Sequence, residues 1–281
     1  MEWFDALIMG VVQGLAEYLP ISSSGQLEIC HELLGLDTSG ADSLQFDVTL
    51  HVATVLSTIV VLWREFSGIC ASVFTWRRND DFYTFWKIIV SCIPVAIVGV
   101  FFKDAVDDFY GGKLNVVGVC LMVTALLLLF AYFFRTRGLI EKRGTTRSAM
   151  VGRPIGWMDA FTMGIAQSIA VLPGLSRSGS TIATGILLGN KREAVAKFSF
   201  LMVIIPILGE ALLDILKAFK GGAEASTDTE TGALAIIVGF VAAFVVGCLA
   251  CKWMIDIVKR GKLVWFAVYC IAVGVLCLIF G

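Results

Sequence analysis

The sequence has 281 residues, of which 58% are hydrophobic and 16% are charged, and its formal net charge is −1. Soluble domains contain about 45–50% apolar residues, so this composition excludes an ordinary soluble enzyme and predicts an integral membrane protein. The lack of a basic excess also argues against a nucleic-acid partner.

A helix needs about 20 consecutive apolar residues to span a bilayer. Two apolar stretches, 5–34 and 157–189, are broken in the middle by EYLPISSSGQ and LPGLSRSGST. We expect each to be a hairpin that enters and leaves on one side, because non-helical backbone at membrane depth survives only against protein or a water-filled cavity. Six other segments approach the length of a full span: 46–63, 84–102, 114–134, 193–216, 232–251 and 263–280.

The two broken stretches resemble each other. A shift of 154 residues aligns GVVQGLAEYLPISSSG (10–25) with GIAQSIAVLPGLSRSG (164–179), and six of the sixteen positions are identical. The polar matches, Gln13 with Gln167 and two pairs of serines, are the informative ones in such apolar sequence. They indicate an internal repeat.

The basic residues predict how the chain is oriented, because cytoplasmic loops carry an excess of Lys and Arg. Fifteen Lys or Arg residues lie in four loops that we expect to be cytoplasmic: 64–83, 135–156, 189–192 and 252–262. Four lie in three segments that we expect to be external: 1–45, 103–113 and 217–231. Each half then has an odd number of full spans, which inverts the second half.

These patterns predict an all-α integral membrane protein with an inverted-topology repeat, in which each half is a re-entrant helical hairpin plus three transmembrane helices. We expect one membrane domain, 1–281. Its repeats would be approximately 1–134 and 157–281, joined by the basic cytoplasmic loop 135–156. The two hairpin loops should face each other and build a site.

The second loop, PGLSRSGST (173–181), has the residues of an anion site. Glycines let backbone N–H groups approach a ligand, and Ser176 or Ser178 can cap the helix that follows. A helix N-terminus attracts anions, and Arg177 adds a guanidinium fork for phosphate oxygens. Capping alone would explain the serines but not Arg177, because an unpaired charge at membrane depth costs several kcal/mol. The first loop offers a similar helix start at SSSG (22–25).

Other ionisable residues could join this site. Glu17, inside the first hairpin, could pair with Arg177 and could also serve as a general acid/base or a metal ligand beside a phosphate. Asp47 and His51 share one helical face and would either rim an outward-facing cavity or lie among the lipid head groups. His31 is expected at the surface.

Four motifs make the sequence resemble the undecaprenyl-diphosphatase family, the BacA/UppP type of bacitracin resistance protein: EYLPISSSG (17–25), FDVTLHVAT (46–54), PGLSRSGST (173–181) and FSFLMVIIP (198–206). The resemblance covers nearly the whole chain. It implies a multi-pass hydrolase of the bacterial cytoplasmic (inner) membrane that converts undecaprenyl diphosphate to undecaprenyl phosphate and inorganic phosphate. Such an enzyme recycles the lipid carrier of cell-wall synthesis and confers bacitracin resistance.

The same resemblance implies roles for individual residues. Arg177 would grip the diphosphate, and Ser23 would be either the nucleophile or a phosphate contact. Glu17 would supply the catalytic carboxylate associated with a divalent cation, Mg²⁺ or Ca²⁺. Substrate binding is expected at six further positions: Gln13, Ser22, Gln26, Ser176, Ser178 and Thr181.

Two positions depart from the family pattern, which commonly begins E-x-x-x-E and ends S-G-H. This chain has Gln13 in place of the first Glu and Gln26 in place of the His. An amide can coordinate a cation or bond to phosphate, but it cannot shuttle a proton at neutral pH. Either Glu17 and water perform the acid/base step, or hydrolysis is slow. His51 could reach the site from another span.

A second hypothesis comes from the predicted fold. Inverted repeats with broken helices are also a transporter plan, so the chain could be a lipid-phosphate transporter or flippase with little or no hydrolytic activity. The expected partners are a polyprenyl diphosphate substrate and membrane lipids, while a transporter would carry a lipid phosphate. The site should open to the external side. A homodimer is left open.

Overall fold

The regular secondary structure of the described residues is almost entirely α-helical. The computed structural model describes residues 1–36, 41–102, 114–141, 152–220 and 232–281, and for residues 41–44, 135–141, 210 and 214–220 it describes the backbone alone. Strand pairing in this part is limited to one isolated bridge between Arg153 and Asn190. The described helices are α1 Trp3–Ala16, α2 Ser23–Leu34, α3 Ala41–Val61, α4 Trp63–Phe74, α5 Asp80–Phe101, α6 Leu114–Glu141, α7 Trp157–Ile169, α8 Arg177–Leu187, α9 Arg192–Lys220, α10 Ala233–Arg260 and α11 Val264–Phe280.

Four described helices are long and apolar enough to cross a membrane. They are α5, α10, the Leu114–Phe134 part of α6 and the Arg192–Leu213 part of α9, and each coincides with a predicted span. The predicted span 46–63 falls on α3, which passes the same test only together with α4, across an 84° bend. The predicted span 263–280 falls on α11, a shorter apolar helix of 17 residues. The protein is therefore an all-α integral membrane protein.

The prediction of a loop at 64–83 is wrong in its first part, because α4 occupies Trp63–Phe74. This helix packs against α5 and buries Ile69. Its Glu65 carboxylate lies 2.8 Å from the Lys197 ammonium on α9. Glu65, which lies inside the segment predicted as a loop, therefore ties this helix to the bundle.

Both predicted breaks are present, and a serine begins the second helix of each pair. The Ser22 hydroxyl accepts a hydrogen bond from the Gly25 N–H at 3.3 Å, and the Ser176 hydroxyl accepts one from the Gly179 N–H at 3.0 Å. Each serine therefore satisfies one of the N–H groups that a helix start leaves unpaired. Pro20 contributes to the first break because it has no N–H to continue α1.

Small residues let both hairpins sit deep between other helices. A Cβ added at Gly14 on α1 would lie 2.8 Å from the Ala243 carbonyl oxygen on α10. A Cβ added at Gly164 on α7 would lie 2.9 Å from the Ser91 Cα on α5. Close backbone approach at glycine is typical of helix packing in membranes. This close packing places the two helix breaks in the interior of the bundle.

Candidate active site

The two helix breaks touch each other. The Ser178 hydroxyl donates to the Leu19 carbonyl oxygen at 3.3 Å, so the start of α8 is bonded to the break after α1. A Cβ added at Gly25 would lie 3.0 Å from the Gly174 Cα, and Gly174 has a φ of 89° that favours glycine. The N-terminal ends of α2 and α8 thus lie side by side. Each has backbone N–H groups that can bind an anion.

Glu17 lies at the centre of this region. The Ser23 hydroxyl donates to its Oε2 at 2.7 Å, and the Gln13 Nε2 donates to the same oxygen at 3.0 Å. The Arg177 Nη2 lies 3.7 Å from its Oε1. The Glu17 side chain is only 8% exposed. Its charged form is therefore stabilised by these partners rather than by water. The structure therefore brings together the three predicted catalytic residues, Glu17, Ser23 and Arg177.

His51 also reaches Glu17, from α3. Its Nδ1 donates to the Asp47 carbonyl oxygen at 2.8 Å, because a carbonyl can only accept, and this turns Nε2 toward the site. The His51 Nε2 lies 3.8 Å from the Glu17 Oε2. The sequence left two placements open for Asp47 and His51, at the rim of a cavity or among the lipid head groups. For His51 the structure favours the cavity. The signal was the motif FDVTLHVAT, which contains this histidine.

The start of α8 is held by its own hydroxyls. Ser176 caps the helix, and the Ser176 N–H donates to the Thr124 hydroxyl of α6 at 3.1 Å. The Thr181 hydroxyl bonds to the Arg177 carbonyl oxygen at 2.9 Å and to the Ser199 hydroxyl. These contacts fix the backbone beneath Arg177. The direct contact of Ser176, Ser178 and Thr181 with substrate stays a prediction.

Gln26 is engaged on both sides of its amide. Its Nε2 donates to the Ile21 carbonyl oxygen at 3.1 Å, and its Oε1 accepts from the Tyr269 hydroxyl of α11 at 2.7 Å. These bonds hold the break in the first hairpin against α11. Ser22 similarly uses its hydroxyl to cap α2. Substrate contacts by Gln26 and Ser22 stay predictions.

A divalent cation fits the donor set around Glu17. Among the described residues no group of three His, Cys, Asp or Glu side chains could hold a metal ion. However, the Gln13 Oε1 is buried without a hydrogen-bond partner, on the amide whose nitrogen bonds to Glu17. Carboxylate and amide oxygens together with substrate phosphates are a usual ligand set for Mg²⁺. The fit thus rests on two protein oxygens and a phosphate.

The expectation that His31 lies at the surface is wrong. Its side chain is buried, and its Nε2 lies 3.3 Å from the Asp47 Oδ2. This contact joins the end of α2 to α3. The sequence could not show it, because α3 covers His31 only in the tertiary structure.

The comparisons with known proteins agree along the whole chain. The family model described as bacitracin resistance protein BacA matches residues 6–276. A protein of Bacteroides fragilis named undecaprenyl-diphosphatase is 53% identical over 99% of this chain and 98% of its own. Proteins of the same name from Parabacteroides distasonis and Halothermothrix orenii are 52% and 35% identical, over 98% and 99% of this chain and 96% and 98% of their own. This chain belongs to the BacA family of bacitracin resistance proteins.

Proposed function

We propose that this protein is a membrane-embedded phosphatase that hydrolyses undecaprenyl diphosphate to undecaprenyl phosphate and inorganic phosphate. Its reaction recycles the lipid carrier of cell-wall synthesis, and the same activity underlies bacitracin resistance. The family membership and the names of the full-length relatives support this activity. The observation that carries it is a serine hydroxyl bonded to a buried carboxylate, with an arginine opposite, at the meeting of two helix starts.

The Ser23 hydroxyl is the proposed nucleophile. Its hydrogen bond of 2.7 Å to Glu17 gives its proton an acceptor at the moment of attack. The Ser23 Oγ attacks the terminal phosphorus, the bond from that phosphorus to the bridging oxygen breaks, and undecaprenyl phosphate leaves. Water then hydrolyses the phosphoserine and releases inorganic phosphate. In this scheme Glu17 accepts the serine proton and passes it to the departing undecaprenyl phosphate. As a carboxylate again, it accepts a proton from the attacking water and returns it to the Ser23 oxygen when inorganic phosphate leaves.

Arg177 and the two helix starts would bind the phosphate oxygens. Arg177 is only 3.7 Å from Glu17, so its guanidinium already points into the site, and its side chain keeps 20% exposure. The N–H groups of the first turns of α2 and α8 add positive ends of helix dipoles. Charge that develops on the transferring phosphoryl group is stabilised by such fixed donors.

A divalent cation would be held by the Glu17 carboxylate and the Gln13 amide oxygen together with the diphosphate. When bound, it would neutralise phosphate charge. Gln13 would also keep the Glu17 carboxylate in place through its 3.0 Å hydrogen bond. Treatment with EDTA should therefore weaken both phosphate release and binding of the diphosphate, and Mg²⁺ or Ca²⁺ should restore them.

We also infer the inverted repeat as the architecture that builds this site. Ser22 and Ser176, which are 154 residues apart, cap α2 and α8 in the same way. The first hairpin packs α1 on α10, and the second packs α7 on α5, the helix equivalent to α10 in the first half. Equivalent contacts of this kind support repeats of approximately 1–134 and 157–281 in one domain.

The last helices of the two halves, α6 and α11, pack closely against each other. A Cβ added at Gly118 on α6 would lie 2.9 Å from the Gly274 carbonyl oxygen on α11. A Cβ added at Gly274 would lie 3.0 Å from the Gly118 carbonyl oxygen. Packing of these equivalent helices on each other supports a two-fold axis between the halves. With the distribution of basic loops, it favours a site that opens to the external side of the bacterial inner membrane.

The test is phosphate release from undecaprenyl diphosphate by the purified protein in detergent with Mg²⁺ or Ca²⁺. We expect Glu17→Gln, Ser23→Ala and Arg177→Ala each to lower kcat by about 10²–10⁴-fold. Ser24→Ala is the matched control, because Ser24 lies in the same SSSG segment but is exposed. Full turnover in Arg177→Ala would show that the site is assigned to the wrong residues.

The transporter hypothesis predicts that the protein binds the lipid but releases no phosphate from it. A flippase would bind the lipid phosphate and move it across a vesicle membrane without release of phosphate. Slow or absent release by the wild type, alongside vectorial movement of undecaprenyl phosphate in vesicles, would favour transport. Phosphate release that depends on Ser23 and Glu17 would favour hydrolysis.

A further inference from the structure

Glu17 lies just beyond the end of a helix. The α1 helix ends at Ala16, and residues 17–21 form a turn that leads to α2. A carboxylate in such a turn is not held by regular helical bonds on both sides, so another element must fix its position. We propose that Tyr18 supplies this anchor as a positioning residue, which holds the Glu17 carboxylate beside His51. The inference rests on the catalytic role proposed above for Glu17.

The Tyr18 hydroxyl is bonded to α3. It donates to the Thr54 carbonyl oxygen at 2.6 Å. The Thr58 hydroxyl lies 2.8 Å from it, and the Ser57 hydroxyl is also within hydrogen-bond distance, so either can donate to the Tyr18 oxygen. Tyr18 is only 1% exposed, and its hydroxyl would be buried without a partner if the turn moved away from α3.

The turn of α3 that receives Tyr18 is also the turn that begins at His51. The Thr54 hydroxyl donates to the His51 carbonyl oxygen at 2.8 Å, which joins the two residues a second time. On the other side of the bond, Glu17 is the direct neighbour of Tyr18. The anchor therefore lies next to the contact between the Glu17 Oε2 and the His51 Nε2, which are 3.8 Å apart.

The Tyr18 ring is held by two further helices. It meets the Phe200 ring of α9 edge to face, with the ring centroids 5.2 Å apart. A Cβ added at Gly247 of α10 would lie 3.4 Å from the Tyr18 Cε2. Phenylalanine at position 18 would keep these ring contacts and lose only the hydroxyl. Tyr18→Phe thus isolates the bonds to α3 from the packing of the ring.

The first measurement is kcat and KM for phosphate release by Tyr18→Phe, at a temperature at which thermal unfolding shows the variant to be folded. We expect kcat to fall by about tenfold, because a small displacement of a catalytic group is costly. KM should stay within about twofold, since Arg177 still binds the phosphate. Tyr83→Phe is the control, because Tyr83 is 43% exposed. A wild-type kcat in folded Tyr18→Phe would overturn the inference.

A double-mutant cycle separates positioning from a general loss of stability. If Tyr18 acts by holding Glu17 beside His51, then Tyr18→Phe has little left to disturb once His51 is removed. The variant with both Tyr18→Phe and His51→Ala should therefore lose less kcat than the product of the two single losses. Losses that multiply would show that the Tyr18 hydroxyl acts independently of His51, which contradicts the inference.

A measurement without turnover separates this inference from the proposed function. The chain has two histidines, so protein labelled with ¹⁵N-histidine gives imidazole signals from His31 and His51 alone, and His31→Gln assigns them. Tyr18→Phe should shift the His51 signals, as Glu17→Gln should. Unchanged His51 signals in Tyr18→Phe would overturn the inference, whatever the activity. Shifted signals in a protein that releases no phosphate would retain the anchor and reject the phosphatase assignment.

Discussion

Gln26 and His51 show how the site works without a histidine in the first loop. Gln26 stands where the family pattern has His, yet both ends of its amide are used to join the helix break to Ile21 and Tyr269. The imidazole nearest the Glu17 carboxylate comes instead from α3, in His51. The structure thus separates two tasks: Gln26 holds the loop, and His51 lies beside the Glu17 carboxylate.

The role of His51 leads to a prediction. His51→Ala should lower kcat for phosphate release by about tenfold or more, because it removes a side chain within 4 Å of the Glu17 carboxylate, the proposed catalytic group. His51→Gln keeps a polar group and should recover part of the loss. His31→Gln is the control, because His31 contacts Asp47 rather than Glu17. Equal turnover in His51→Ala and the wild type would remove His51 from the site.

The role of Gln26 leads to a different prediction, on stability. Tyr269→Phe should lower the free energy of unfolding by about 1–3 kcal/mol, because it leaves the buried Gln26 Oε1 without its donor. Tyr83→Phe should have little effect, since Tyr83 is 43% exposed. Thermal unfolding in detergent measures both. A Tyr269→Phe variant as stable as the wild type would contradict a structural role for this bond.

At the scale of the elements, the hairpins depend on helices that approach closely. The α7 helix lies against α5 so tightly that a Cβ at Gly164 would meet the Ser91 backbone. The α1 helix makes the equivalent approach to α10 at Gly14. Because each hairpin carries one helix start of the site, the packing of α1 and α7 sets where Ser23 and Arg177 lie.

The close approach of α7 and α5 predicts the effect of one methyl group. Gly164→Ala should destabilise the protein by about 1–3 kcal/mol, because the backbone of α5 must move. Gly99→Ala, within α5, adds the same methyl group where no atom lies within 4 Å. It should stabilise the helix by about 0.5–1 kcal/mol. Equal unfolding temperatures for the two variants would mean that α7 and α5 are not held this closely.

At the scale of the whole molecule, the proposed orientation depends on whether the two hairpins are re-entrant. If each hairpin enters and leaves on one side, the three spans between them place the loop after α6 in the cytoplasm and the loop after α9 outside. If a hairpin crossed completely, the loops after it would change sides. The distribution of 22 Lys and Arg residues favours the first arrangement.

Reporter fusions test this arrangement. Alkaline phosphatase, which is active only outside the cytoplasm, should be inactive when fused within 142–151 and active when fused within 221–231. A cytoplasmic fluorescent reporter should give the reverse pattern at the same positions. Alkaline phosphatase activity at both positions would contradict the inferred orientation.

The sequence by itself determined the class of the protein, its broken helices and most of the residues around Glu17. Composition and apolar length are local properties, so they predict six spans directly, and four of these coincide with described helices long enough to cross a membrane. The two breaks are also predictable from local residues. Pro20 and Gly174 favour a break in the helix, and serines cap the helices that follow. The ion pair of Glu17 with Arg177 was predictable because a buried charge needs a partner.

Only the tertiary structure decided which distant side chains meet. His51 and Glu17 are on different helices, as are Gln26 and Tyr269, and such pairs have no signal in sequence spacing. The same holds for buried His31 and for α4, whose contacts with α5 and Lys197 make it part of the bundle.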